Sequence, residues 1–366
     1  MENFFNVVSH YQKIKSLYFR YERWLMPATL VIGFLVDYIT FTNIQLKITL
    51  SLLLFYWVIT GATIAFTNFY DTGKLSLKFR YLRLFAPLLI QFTFGALLGS
   101  SMVFYWFSGA FSISWPFMAI IAMLMVSNDV LRHYFLKPIV QISVYFFTTI
   151  SLFSIILPIL FHSLSAWLFM AAGAASLAVF YFYIRFLSSS RDYMRQQKKY
   201  FLASIATIFF TMNVLYFANI IPPIPLALRE AGMYHNIRVS NRSYVMAGEA
   251  EGFWQTLIHG QTLRLKPGER AYVYTSIFAP AELRAAIFHH WQHYDEEKKD
   301  WVEKDALSFT ITGGRKEGYK GYSWESNLAP GRWRIYVKNY RGQVLGIIRF
   351  NVERTQEEVK LQETIR

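Results

Sequence analysis

The hydrophobic pattern changes its period once along the chain. As far as Ile221 it consists of long apolar runs: Trp24–Phe41, Leu46–Phe66, Leu84–Phe107, Ala110–Val126, Ile139–Phe161, Ala166–Leu187 and Phe201–Ile221. Each is near the length that crosses about 30 Å of hydrocarbon, so the pattern predicts about seven transmembrane helices, the fourth being the shortest. Ahead of them Phe4, Val7, Val8, Tyr11, Ile14, Tyr18 and Tyr21 recur at helical spacing with basic residues between, the pattern of an interfacial helix over residues 1–23.

After the last run, Ile221-Pro222-Pro223-Ile224-Pro225 cannot continue a regular helix, because proline removes a donor and clashes with the preceding turn. Residues 222–228 are read as a stiff linker. Beyond them the pattern alternates. Strands are expected at Arg270–Phe278, Leu283–Tyr294, Ser308–Thr312, Arg332–Lys338 and Gln343–Val352, with turns at Lys266-Pro267-Gly268-Glu269, Gly313-Gly314 and Gly342. Trp333, Ile335 and Val337 fall on one face of their strand, and Arg332, Arg334 and Tyr336 on the other, which is the signature of a half-buried sheet. The mixed-charge stretch from Glu296 to Asp305 reads as a solvated loop, and the polar end from Arg354 as a short helix or a frayed tail.

Charge orients the helices. Lys13, Lys15, Arg20 and Arg23 precede the first run; Lys74, Lys78, Arg80 and Arg83 fill the second gap, Arg132 and Lys137 the fourth, and Arg185, Arg191, Arg195, Lys198 and Lys199 the sixth. The first, third and fifth gaps hold only Lys47. By the positive-inside rule the N-terminus is cytoplasmic, and after an odd number of crossings the C-terminal domain lies outside. Up to Ile221 there are 16 Lys and Arg against 6 Asp and Glu, so +10 of the net +14 belongs to the helical region. The basic balance therefore serves topology and lipid headgroups, and nucleic-acid binding is not expected. The chain has no cysteine, which excludes thiolate catalysis, Cys-type zinc sites, iron–sulfur clusters and disulfides.

Within the helices, Gly95 and Gly99 form a GxxxG pair and Ala171 to Ala175 a small-residue run, both suited to close helix packing. Asp37 is the one clearly intramembrane acid; with Gln91 and Asn213 it makes up the polar set from which a transport or membrane-enzyme site would be built. In the C-terminal domain, His289, His290 and His293 invite a metal reading, but on a strand His290 faces away from the other two, so no metal is assigned. No Walker, Gly-x-Ser-x-Gly or His-Glu-x-x-His motif occurs, and no catalytic residue or cofactor is assigned. The better candidates are Arg315, Tyr319, Tyr322, Trp324, Arg332 and Arg334. Arginine offers paired donors to phosphate or carboxylate, and aromatic faces stack on sugars or acyl chains.

His289-His290-Trp291, Gly313-Gly314-Arg315, Gly321-Tyr322-Ser323, Gly331-Arg332-Trp333-Arg334 and the run from Gly342 through Phe350-Asn351-Val352 resemble a bacterial family catalogued as domain of unknown function 2914. The resemblance covers roughly the last 80 residues. It implies a C-terminal domain behind a multi-helix membrane region in a Gram-negative envelope, and it carries over no catalytic residue.

The expectation is thus an α-helical polytopic membrane bundle over residues 24–221, followed by an all-β, sandwich-like extracytoplasmic domain over 229–353 and a polar tail over 354–366. The protein would sit in the bacterial inner membrane, with the β domain in the periplasm binding an envelope glycan, a lipid headgroup or a protein partner. The alternative is a transporter or membrane-embedded enzyme with its site between the bundle and the β domain.

Overall fold

The computed structural model describes residues 46–130, 137–188, 198–222, 225–240, 243–249, 261–315 and 318–366, with Tyr21, Ala28 and Ile32 besides. The expected interfacial helix, the first span and Asp37 lie outside these residues, apart from those three helical positions. The described residues form six helices, α1 Leu46–Asp71, α2 Arg80–Ser108, α3 Phe111–Val130, α4 Pro138–Leu160, α5 Ala166–Ser188 and α6 Lys198–Phe217, followed by β-strands only. Five of the helices are long and apolar enough to cross a membrane; α3 has a shorter apolar stretch, Phe111–Ser127.

The chain divides into two compact units. The first comprises residues 1–105, 116–158 and 165–217, and the second 106–115, 159–164 and 218–366. In the first, polar groups are buried without charge. Thr60, Thr63, Thr93, Ser101, Thr149, Ser154 and Ser176 each donate to the carbonyl four residues earlier, so their hydroxyls need no water. Others tie helices together: Trp57 Nε1 donates to Thr149 Oγ1 at 2.8 Å, and the Tyr145 and Tyr183 phenols donate to Trp57 O and Gly61 O at 3.0 and 2.8 Å. Small residues permit the close approach. A Cβ on Gly173 would lie 2.8 Å from the Phe209 ring, while Phe169 and Tyr216 stack at 3.7 Å. Gly95 and Gly99 are buried. Large apolar side chains nevertheless face outward, Phe182 and Phe210 being 66 % and 69 % exposed. Helix α1 ends where Gly73 adopts φ +73°, with Gly73 N–H on Tyr70 O and Lys74 N–H on Phe69 O; Arg83 then pairs with Asp71 at 2.7 Å across the turn.

The second unit is built on strands β1 Ala227–Tyr234, β2 Asn236–Ser240, β3 Ser243–Glu249, β4 Gln261–Leu265, β5 Arg270–Phe278, β6 Arg284–Asp295, β7 Asp300–Thr312, β8 Tyr319–Ser326, β9 Gly331–Asn339, β10 Val344–Arg354 and β11 Leu361–Ile365. They form a three-stranded sheet of order β1-β5-β8, a five-stranded sheet of order β4-β10-β9-β6-β7 and a second three-stranded sheet of order β11-β3-β2. The first two share one core: Met233, Ala271 and Val273 from one sheet meet Leu263, Leu265, Trp291, Trp333, Ile335, Phe350 and Val352 from the other. The third caps the outside of the first through Ile237 and Met246 on Tyr274.

Two local expectations differ from this arrangement. The stretch read as a solvated loop belongs largely to β7, which pairs with β6 back to Asp300 opposite Asp295. Its charges face water on an edge strand, so composition alone resembled a loop. The polar end carries β11, paired antiparallel with β3 from Leu361 opposite Glu249 to Ile365 opposite Val245, in place of a helix or frayed tail. An edge strand needs only backbone partners, and its polar side chains gave no hydrophobic signal.

Candidate ligand-binding faces of the β-rich unit

Of the six residues singled out from the sequence, five fall on two different sheets, and Arg315 lies in the connection between β7 and β8. Tyr319, Tyr322 and Trp324 are on β8, and Arg332 and Arg334 on β9. Alternation along β8 buries Gly321 and Ser323 and turns Tyr322 and Trp324 outward. Trp324 is flanked by the Arg270 guanidinium, 4.1 Å from its ring centroid, and Tyr322 sits against Tyr244 and Tyr272. Tyr319 is half-buried against the apolar core, with Arg315 at 5.2 Å over its ring. Arg270 was not visible as a candidate because only the β5–β8 register, Tyr272 opposite Trp324, brings the strands together.

The outward face of the five-stranded sheet is a ladder of cations and rings. On β9 the positions Arg332, Arg334, Tyr336 and Lys338 alternate with the buried Trp333, Ile335 and Val337, as the sequence pattern required. Arg332 lies 3.9 Å over Tyr294 and donates to Glu296 at 3.0 Å. Arg334 lies 4.2 Å over Trp301 and 4.9 Å from Tyr336, and its Nε donates to Gln292 Oε1 at 2.8 Å. Lys338 approaches Tyr336 at 4.9 Å. Arg349 of β10 stands directly opposite Arg334. Burial, and then the Arg349 charge, push the Arg334 pKa down, with Tyr336 and Asp300 opposing. Tyr294, Trp301, Lys338 and Arg349 were missed by sequence reasoning, since it supplied the alternation within a strand but not which strands are neighbours.

The three histidines diverge. His289 is fully buried, its Nδ1 2.8 Å from Ser323 Oγ and its Nε2 3.2 Å from Thr275 Oγ1; burial, and then the neighbouring His290, lower its pKa to about 3. His290 faces Glu303 at 3.2 Å, and His293 Nε2 meets Pro330 O at 3.1 Å. Among the described residues no group of three or more His, Asp or Glu has the geometry to hold a metal ion. A different histidine is the more heavily engaged. His235 has Glu269 Oε1 at 3.1 Å from Nδ1 and Glu249 Oε1 at 3.1 Å from Nε2. Glu249 also accepts from Arg264 N and Nη1, at 2.6 and 3.1 Å. In the helical unit, Gln91 is buried and Asn213 Nδ2 turns back to Phe209 O of its own helix at 2.8 Å.

No curated protein matches the chain. Among solved structures, the Pseudomonas fluorescens alkylpurine DNA glycosylase AlkC bound to DNA containing an abasic site analog aligns at 9 % identity over 83 % of this chain and 98 % of that one, with a TM-score of 0.24. A score that low carries no structural or functional argument. Residues 284–352, from the start of β6 almost to the end of β10, match the model of the family described as protein of unknown function DUF2914. They include four strands of the five-stranded sheet, so the face that bears Arg332 and Arg334 lies within the C-terminal DUF2914 domain that this chain carries.

Proposed function

We propose that this chain is an integral inner-membrane protein that displays its β-rich unit in the periplasm, and that this unit binds an envelope component across the outward face of the five-stranded sheet. Membrane embedding is supported by large apolar side chains facing outward along helices whose buried Thr and Ser hydroxyls, such as those of Thr60 and Thr149, donate to carbonyls of their own helix. Orientation is supported by the charge pattern. It is supported also by the third and fifth gaps, within 106–115 and 159–164, which hold no Lys or Arg and group with the C-terminal strands. Lys74, Lys78, Arg80 and Arg83 of the second gap group with the helices.

The observation that carries the binding reading is the ladder of Arg332, Arg334 and Lys338 over Tyr294, Trp301 and Tyr336. Rings hold the guanidinium planes in place, and among the described residues no acceptor meets the Arg334 Nη groups, an arrangement that recognises anions at low entropic cost. The test is a binding screen of the full chain in lipid nanodiscs against glycans, headgroups and envelope fractions. Arg334→Ala should abolish saturable binding and Trp324→Ala, on the other sheet, should leave it intact. The reverse outcome would move the site to β8, and no binding to the folded protein would refute the reading.

A further inference from the structure

The β9–β10 hairpin turns where apolar helices end. Residues 106–115, 159–164 and 218–226, which hold the end of α2, the start of α3, the end of α4 and the exit from α6, group with the strands in one compact unit. Ala110 N donates to Val344 O and Gln343 Nε2 to Ile221 O, each at 3.3 Å. Leu164 packs in the apolar core with Val337 and Leu345 of the hairpin and with Leu226. A Cβ on Gly109 would lie 2.7 Å from Pro222, so these segments also approach one another closely. Asn339 Oδ1 accepts from Arg341 N and Gln343 N at 3.0 and 3.1 Å, which fixes the turn and leaves Tyr340 at its apex, 53 % exposed. Trp106, Phe111, Trp115 and Phe161 of the helix-end segments are likewise more than half exposed.

From this we infer that the tip of the β9–β10 hairpin, with Tyr340 and Arg341 at its apex, is a lipid-contact surface that lies in the headgroup layer of the bilayer holding the helices. The inference rests on the membrane embedding proposed above, which puts the helix ends, and with them the backbone bonded to the hairpin, at the bilayer surface. Tyrosine and tryptophan favour that layer because the ring is apolar while its polar atom stays wet. Charge agrees with an anionic lipid surface. The tip carries Lys338 and Arg341, and no Asp or Glu occurs from Gly331 to Val352. Glu282, in the β5–β6 connection, lies 3.9 Å from His162 of the α4–α5 segment. The acids Asp295, Glu296, Glu297 and Asp300 cluster at the other end of the sheet: Ile287 of β6 stands opposite Asn339, and β6 runs on from there to Asp295, about 25 Å further along the strand.

The chain has no cysteine, so one introduced thiol gives one labelling site. Tyr340→Cys, Phe111→Cys, Glu297→Cys in the β6–β7 turn and Phe210→Cys on α6 are each spin-labelled in the full chain. The proteins are placed in nanodiscs of phosphatidylethanolamine and phosphatidylglycerol. Collision of the nitroxide with oxygen, which partitions into lipid, and with a water-soluble nickel chelate is then measured. The label at 297 should be open to nickel and the label at 210 open to oxygen. At 340 and at 111, nickel accessibility should be severalfold lower than at 297, with oxygen accessibility intermediate between 297 and 210. Nickel accessibility at 340 equal to that at 297, while 210 stays protected, would overturn the inference and leave the membrane reading standing. A label at 210 that is also open to nickel would sink the membrane reading itself. Protection of 340 from both reagents would mean that a second copy of the chain covers the tip, and would equally overturn the lipid contact.

Discussion

His289 and His235 are both buried in the β-rich unit, yet opposite chemistries hold them. His289 sits between the Ser323 and Thr275 hydroxyls, and burial keeps it neutral with a pKa of about 3 against an ordinary 6.5. The unfolded chain therefore takes up a proton that the folded unit refuses. Its contribution to stability is complete above the ordinary value and is lost as pH falls toward the folded one, with a slope of up to about 1.4 kcal/mol per pH unit. Melting temperatures of the full chain at pH 7 and pH 4.5 should thus diverge less in His289→Gln than in the parent; an equal drop in both would refute the assignment. His235 lies between two carboxylates, of which Glu249 is buried and Glu269 about one-third exposed. Glu249→Gln should cost about 1–3 kcal/mol, since it disturbs the buried hydrogen bonds that Glu249 makes with His235 Nε2 and Arg264 N, and Glu269→Gln clearly less. Denaturant titration of the two variants checks the order. The His289–Trp291 alternation was legible in the sequence; the Glu249–His235–Glu269 contact was not, because its members come from three strand ends far apart in the chain.

At the scale of elements, strands with an apolar face were legible, and strands that rely on backbone pairing were not. Arg270–Phe278 and the β9–β10 pair follow from alternation and glycine turns. By contrast β11 is stabilised by pairing with β3 and by the Arg366–Glu230 and Arg238–Glu363 ion pairs. Truncation after Lys360 should leave β3 as an exposed edge and speed amide exchange across residues 236–249 without altering exchange in β6 and β9. Close packing supplies a second test. A Cβ on Gly321 of β8 would fall 2.5 Å from the Phe309 ring of β7, which itself abuts His289 at 5.0 Å. Gly321→Ala should therefore destabilise the unit by about 1–3 kcal/mol, read as a lowered melting temperature, and disturb the His289 environment in the same step.

For the molecule as a whole, the expected outcome is that the chain stays with membranes through alkaline carbonate washing. A periplasm-active reporter should work when fused after Arg366 and fail when inserted within Arg191–Lys199. Activity in the reverse pattern would invert the topology. The sequence by itself determined the long apolar helices, the change to alternating strands after Ile221, the inward and outward faces of β9 and the resemblance at the C-terminal end, because each of these is written in local periodicity and composition. Only the tertiary structure decided that Tyr322 and Trp324 stand on a different sheet from Arg332 and Arg334, and that a third sheet caps Tyr274. It alone put Arg349 opposite Arg334. The physical reason is that strand order and register are set by which apolar faces bury against each other across long stretches of chain, and a strand's own pattern of side chains does not name its neighbour.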